Sequence, residues 1–160
     1  MKKNILITGK PRSGKSTLLQ KLITDIPNKV GFITPEIRED GERVGFNIET
    51  SNGERFLLAH VNFETLYKVS RYFVDIQSLE KGVLSILDFN DSNFLYLDEI
   101  GQAELFSNKF KDLVLRYLNS SNKCIATVSC VYEDDFITEI KKREDVVLIE
   151  ITPENREQAE

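Results

Sequence analysis

The sequence predicts an α/β fold: a three-layer α-β-α sandwich built on a mainly parallel sheet, with an antiparallel β-meander inserted over residues 30–60. Three observations lead there. Short β-rich apolar runs alternate with segments whose apolar residues recur at helical spacing, the pattern of a parallel sheet covered on both faces. After the first helical segment this alternation gives way to turn signals, Asp40-Gly41 and Asn52-Gly53, flanked by residues of period two. The chain has 160 residues, 41% hydrophobic and 29% charged, which suits a single domain over residues 1–160.

The elements follow in order. Ile5-Leu6-Ile7 reads as a short buried strand that ends at Thr8-Gly9. From Lys15, the residues Leu18, Leu19, Leu22, Ile23 and Ile26 mark one apolar helix face, and Pro27-Asn28 stops that helix. Residues 30–33 form a strand that can run on toward Arg38. Val44, Phe46 and Ile48 then alternate with polar or small residues, and residues 55–59 complete the meander. Leu79, Val83, Ile86 and Leu87 form the next helical stripe, and Phe94-Leu95-Tyr96-Leu97 is a buried strand ending on two acids. Phe110, Leu113, Val114, Tyr117 and Leu118 give the clearest amphipathic helix. A strand over 124–128, a short helix around Phe136, Ile137 and Ile140, and a strand over 146–151 ended by Pro153 close the chain. Ligands of such sheets sit at the C-terminal ends of the strands. Three segments converge there: residues 9–17, Asp98-Glu99 and residues 127–129.

Composition narrows the function. Lys and Arg total 21 against 26 Asp and Glu, a net charge of −5. No basic stripe stands out, so no nucleic-acid partner is expected. No apolar run approaches the ~18 residues of a membrane span, so no membrane association is expected either. Met1-Lys2-Lys3-Asn4 is followed by only three apolar residues, too few for a signal-peptide core. A cytoplasmic monomer is expected. Cys124 and Cys130, the only cysteines, read as reduced thiols, and His60 is the only histidine. Multi-His metal sites and His-based triads therefore have little material.

The chemistry is carried by Gly9-Lys10-Pro11-Arg12-Ser13-Gly14-Lys15-Ser16, a full match to the phosphate-loop pattern GxxxxGK[ST]. Such a loop turns successive backbone N–H groups toward an anion. Gly9 and Gly14 permit a close approach that a Cβ would hinder. The helix opening at Lys15 aims its positive end at the phosphates, and Thr17 lies in its first turn. Lys15 supplies a point charge to the β and γ phosphates, and the Ser16 hydroxyl is a hard oxygen ligand for Mg²⁺. A random chain of this length matches the pattern roughly 0.5% of the time. Asp98 ends a buried strand, where a carboxylate is costly unless paired; Mg²⁺ beside the phosphate loop would pair with it. Glu99, turned at the strand's end toward the γ-phosphate, could orient or deprotonate a water. Thr127 or Ser129 could contact the γ-phosphate or that water. Arg12 lies inside the loop, and Arg38 and Arg43 flank the Asp40-Gly41 turn; Arg12 and Arg38 are candidate cations for the charge that phosphoryl transfer develops.

With these residues in hand, the chain resembles the small nucleoside triphosphatases called cancer-related or THEP-type NTPases, from Asn4 to about Arg156. The likeness rests on the phosphate loop and on Gly31-Phe32-Ile33-Thr34-Pro35-Glu36-Ile37-Arg38 leading to Arg43-Val44-Gly45-Phe46. It rests also on Asp98-Glu99-Ile100-Gly101, on Glu104-Leu105-Phe106-Ser107 with Phe110, and on Thr152-Pro153-Glu154-Asn155-Arg156. The resemblance implies a P-loop NTPase with parallel strand order 5-1-4-3-2. It implies slow, Mg²⁺-dependent hydrolysis of ATP and GTP with loose base preference. Glu99 carries over as the water-activating base, Thr127 or Ser129 as a sensor, and the segment holding Asn155 as a loop near the base. Gln102 and Ala103 stand where the family commonly has Lys and then Met, which removes a cation near the γ-phosphate; Arg12 is the candidate to replace it. Two rival readings use the same scaffold. One is a small-molecule or nucleotide kinase. The other is a nucleotide-gated protein-binding module presenting Phe32, Phe46 and Phe56.

Overall fold

The computed structural model describes residues 3–10 and 13–152. In chain order the elements are β1 (Asn4–Gly9), α1 (Lys15–Ile23), β2 (Lys29–Ile33), β3 (Glu36–Glu39), β4 (Glu42–Thr50), β5 (Arg55–His60), β6 (Lys68–Val69), β7 (Tyr72–Val74), α2 (Ile76–Ser85), β8 (Phe94–Ile100), α3 (Asn108–Asn119), β9 (Cys124–Ser129), α4 (Asp135–Lys141) and β10 (Val146–Ile151). A 3₁₀ turn at Glu104–Phe106 links β8 to α3. The strands form one mixed sheet ordered β10-β1-β9-β8-β2-β4-β5-β7-β6, with β3 on β4. From β10 to β2 the neighbours are parallel; beyond β2 they are antiparallel.

The side-chain period of two sorts the parallel strands between two cores. On one face Leu6, Leu95, Leu97, Cys124, Ala126 and Val128 meet the apolar sides of α2, α3 and α4. On the other Ile7, Tyr96, Ile125 and Ile151 meet Leu18, Leu19 and Ile23 of α1. Each strand is thus apolar on both sides, which is why these segments read as unbroken runs. Burial in the first core pushes the Cys124 thiol up to about 12, so it stays protonated. Side-chain caps start three helices: Asp75 accepts from the Ser78 N–H, Ser107 from the Phe110 N–H and Asp134 from the Ile137 N–H. The start of α1 is different: Gly14, at φ +99°, precedes it, and no side chain caps it.

The inserted meander does not have the expected bounds of 30–60. Residues 29–33 belong to the parallel sheet, pairing with β8, and the antiparallel part runs on through β7 at Val74. An apolar run such as Val30-Gly31-Phe32-Ile33 reads the same in either setting. The last two strands, of two and three residues, are too short to show alternation. The aromatic docking face also fails to form. Phe32 is wholly buried, and Phe46 and Phe56 pack against the core, because alternation along β2, β4 and β5 turns them onto the helices and neighbouring strands.

Gly31 fixes the closeness of β2 and β8. A Cβ there would lie 1.8 Å from the Tyr96 carbonyl oxygen, a backbone atom that cannot yield. Gly31→Ala is expected to lose about 2 kcal/mol or more of stability, as overpacking does, read as a lower urea midpoint with unchanged slope.

Candidate active site

The phosphate loop leaves β1 and enters α1. A Cβ on Gly9 would sit 2.6 Å from Ser13 Oγ and 2.8 Å from the Ile151 carbonyl oxygen, so the loop closes only around glycine. The positive φ of Gly14 turns the chain into α1 without a capping side chain, leaving its first amides for an anion. Ser13 Oγ and Thr8 Oγ1 are buried with no hydrogen-bond partner among the described residues. Lys15 Nζ reaches back over the loop, 3.4 Å from the Gly9 carbonyl oxygen. Lys10 and Thr17 are exposed. Pro11 and Arg12 lie outside the described residues, as does Asn155.

Both acids of β8 fold back against this loop. Ser16 Oγ donates to Asp98 Oδ1 at 3.0 Å, and Lys15 Nζ is 2.7 Å from Glu99 Oε2. Strict alternation would send one of two adjacent acids to the opposite face. The pairing of β8 with β9 shifts register there: Leu97 faces Ala126, but Ile100 faces Val128, so Asp98 and Glu99 together oppose Thr127. This bulge returns Ile100 to the face of Leu95 and Leu97 and leaves both carboxylates on the loop side. Asp98 is 3% exposed, and Thr127 Oγ1 donates to its Oδ1 at 2.6 Å. Burial raises the Asp98 pKa above the ordinary carboxylate value. The Thr127 and Ser16 hydroxyls oppose that shift, the Glu99 charge adds to it, and Lys15 opposes it.

A cavity of about 420 Å³ opens over these groups, lined by Lys15, Ser16, Asp98, Glu99, Ser129 and Arg43, among others. Thr127 is held to Asp98, whereas Ser129 lines the cavity and its Oγ accepts the Tyr132 N–H at 3.1 Å. Gly101 is buried beside the Glu99 carboxylate, where an added Cβ would lie 3.0 Å from Oε1. Gln102 lines an adjoining cavity instead.

Arg38 does not reach the site. Its exposed guanidinium is 2.9 Å from Glu36 and donates to the Gly41 carbonyl at 3.0 Å, and it lines neither cavity. Among the described residues Arg43, its partner in register across the hairpin, is the arginine that lines this cavity. Its guanidinium lies 5.2 Å from the Phe46 ring centroid and donates to the Tyr72 hydroxyl at 2.9 Å. Paired positions flanking one turn give no sequence signal for which arginine is held inward. Glu104 borders the adjoining cavity; it is 4% exposed, and its Oε2 has no partner among the described residues. Burial first, then the Glu99 charge, raises its pKa well above the usual carboxylate range. Among the described residues no cluster of three or more His, Cys, Asp or Glu could hold a metal, and no helix is long and apolar enough to cross a membrane.

The family profile described as NTPase matches residues 4–160. The chain belongs to that family. The nucleoside-triphosphatase THEP1 of Thermotoga sp. (strain RQ2) is 42% identical over 95% of this chain and 88% of its own. The crystal structure of THEP1 from Aquifex aeolicus superposes with a TM-score of 0.85 at 34% identity, over 96% of this chain and 92% of that one. The solution structure of a human cancer-related nucleoside triphosphatase does so at 0.80 and 29% identity, over 98% and 92%. The resemblance carried by the motifs thus extends over nearly the whole chain, and the fold is the α/β fold of these NTPases.

A buried carboxyl with one oxygen unpaired costs stability that an apolar side chain of similar size does not. Glu104→Leu is expected to raise the midpoint of thermal unfolding by a few degrees, about 1 kcal/mol in a domain of this size, measured by circular dichroism. An unchanged or lower midpoint would mean that the carboxyl is satisfied in solution.

Proposed function

We propose that the chain hydrolyses nucleoside triphosphates to the diphosphate and phosphate, with Mg²⁺ required and both ATP and GTP accepted. One observation carries the reading: the first two residues of α1, Lys15 and Ser16, are in direct contact with Asp98 and Glu99, the two acids near the C-terminal end of β8. The loop amides and the open N-terminus of α1 bind the phosphates, and the Lys15 ammonium neutralises their charge. The donor set suits Mg²⁺. It offers one buried carboxylate, Asp98, beside one hydroxyl, Ser16, too few groups for an all-protein cage, and Mg²⁺ typically takes one or two carboxylates together with waters and substrate phosphates. Burial disfavours the ionised form of Asp98, so a cation there relieves a penalty already present in the fold. When bound, Mg²⁺ neutralises charge developing on the β and γ phosphate oxygens.

Lys15 is paired with Glu99 at 2.7 Å. An arriving γ-phosphate competes for the same ammonium, which frees the Glu99 carboxylate to accept a proton from an attacking water. Ser129 borders the same cavity and can hold that water, while Thr127 keeps Asp98 oriented. Arg43, held by the Tyr72 hydroxyl and by Glu36, borders the same cavity and supplies a cation there.

Glu99→Gln is expected to keep nucleotide affinity and lose about 10²–10⁴ in turnover, the usual worth of a general base. Lys15→Ala is expected to weaken binding itself. Phosphate release from ATP, GTP, CTP and UTP, with and without Mg²⁺, alongside binding of a fluorescent nucleotide, reads both effects. Wild-type turnover in Glu99→Gln would remove Glu99 as the base, and release without Mg²⁺ would remove the metal.

A further inference from the structure

Arg43 leaves β4 beside the Asp40-Gly41 turn and reaches the cavity that holds Lys15, Asp98 and Glu99. Its guanidinium lies against two rings, 5.2 Å from the Phe46 centroid and 5.7 Å from that of Tyr72. The rings meet edge to face with centroids 5.3 Å apart. Tyr72 is 6% exposed and belongs to the core. In the sheet β5 lies between β4 and β7, so this contact joins two strands that do not pair.

The atoms that hold the guanidinium differ in what they do to its charge. Tyr72 Oη accepts from Nε at 2.9 Å. Arg71 Nη2 donates to the same oxygen at 3.4 Å, and the hydroxyl proton is directed to the Arg43 carbonyl oxygen, 3.5 Å away. The phenol therefore grips the main chain and the side chain of Arg43 at once. Glu36 Oε1 is 3.4 Å from Nη1, a long contact, and its Oε2 is taken by Arg38 at 2.9 Å. A guanidinium presents five N–H groups in a rigid plane. Holding Nε fixes that plane and leaves the terminal nitrogens, which bind phosphate oxygens in pairs. A neutral phenol does this without cancelling the positive charge, as a carboxylate in its place would.

We propose that Tyr72 is a positioning residue for phosphoryl transfer: its hydroxyl holds Arg43 by Nε, so that the terminal nitrogens are already in place when charge develops on the γ-phosphate oxygens. A free arginine would have to give up rotamer freedom at that moment, whereas one fixed by folding has already done so. The γ-phosphate displaces the long Glu36 contact from Nη1 and leaves the shorter Tyr72 contact at Nε intact. Tyr72 itself touches no reacting atom. The water oxygen bonds to the γ-phosphorus as the bond to the β,γ-bridging oxygen breaks, the electron pair leaves on the diphosphate, and the water proton passes to Glu99. This role rests on the reading of the chain as a hydrolase with Arg43 as a cation of its cavity.

Steady-state phosphate release by the whole protein with MgATP separates the outcomes. Tyr72→Phe keeps the ring and removes the hydroxyl. Its kcat is expected to fall about tenfold, the worth of one hydrogen bond to a charged group, with KM within about twofold of the wild type. Arg43→Ala is expected to lose about 10²–10³ in kcat, as removal of one preorganised donor does. Adding Tyr72→Phe to Arg43→Ala is expected to cost nothing more, because the hydroxyl acts only through the guanidinium. Affinity for MgADP with aluminium fluoride, a mimic of the transferring phosphoryl group, is expected to weaken about tenfold in Tyr72→Phe while affinity for MgADP alone holds. Arg43→Lys keeps a charge but lacks Nε; it is expected to lose nearly as much as Arg43→Ala, and it probes the anchor with Tyr72 intact should the tyrosine variant not fold. Wild-type kcat in Tyr72→Phe or in Arg43→Lys overturns the positioning role. So does a tenfold loss that recurs in the Arg43→Ala background, since it marks a general effect on the fold. Wild-type turnover in Arg43→Ala removes Arg43 and Tyr72 together and leaves hydrolysis standing. No phosphate release by the wild type removes the hydrolytic reading and this role with it.

Discussion

A desolvated charge must be paired, and the C-terminal edge of this sheet is organised by how Asp98 and Glu99 are paired. Asp98, 3% exposed, shares one oxygen between hydroxyls from α1 and β9. Glu99 takes the ammonium of the next α1 residue toward the loop. These contacts tie β1 through its loop to β8 and β9, elements separated by more than eighty residues of chain. Removing one partner would leave a charge in a medium that penalises it by several kcal/mol. The same penalty makes the edge receptive to a cation beside Asp98 and to an anion beside Lys15. In the proposed mechanism the groups that act on the substrate are the same atoms that form these stabilising pairs.

The rest of the architecture keeps that edge rigid. Alternating side chains on β1, β8 and β9 divide between two cores, so the strands are clamped from both sides. Among the described residues four buried polar atoms lack a partner: Thr8 Oγ1 and Ser13 Oγ around the loop, Glu104 Oε2 near Glu99, and Asn4 Oδ1 at the opposite end of β1. The first three lie at the end of the sheet that carries the candidate site, where a natural protein is expected to depart from its otherwise consistent pattern. The meander contributes a wall rather than a docking face, since its aromatic residues turn inward and Phe46 and Tyr72 hold the Arg43 guanidinium between them.

Much of this was legible in the residues alone. The glycine spacing around Lys15 defines the loop, the stripe from Phe110 to Leu118 defines a helix, and apolar runs that end in Asp98 or at Ser129 mark strand ends. What escaped has identifiable reasons. The strands Lys68–Val69 and Tyr72–Val74 are too short for a period to emerge. Val30-Gly31-Phe32-Ile33 has no feature that separates a parallel neighbour from an antiparallel one. Arg38 and Arg43 flank the same turn and pair across it; only the Tyr72 hydroxyl, contributed by a strand twenty-nine residues on, selects Arg43. Glu104 belongs to a segment that carries the family resemblance, but the burial of its carboxyl beside Glu99 becomes visible only in the folded chain.

The sequence by itself determined the local chemistry: a glycine-framed anion loop at the head of a helix, and an acid pair at the end of an apolar strand. These are properties of neighbouring residues, fixed by sterics and by the period of side chains along a helix or strand. The tertiary structure alone decided that Asp98 and Glu99 both face Lys15 and Ser16. That arrangement depends on a register shift between β8 and β9, and register is set by which strands lie side by side, a long-range relation that no stretch of the chain encodes in its own pattern.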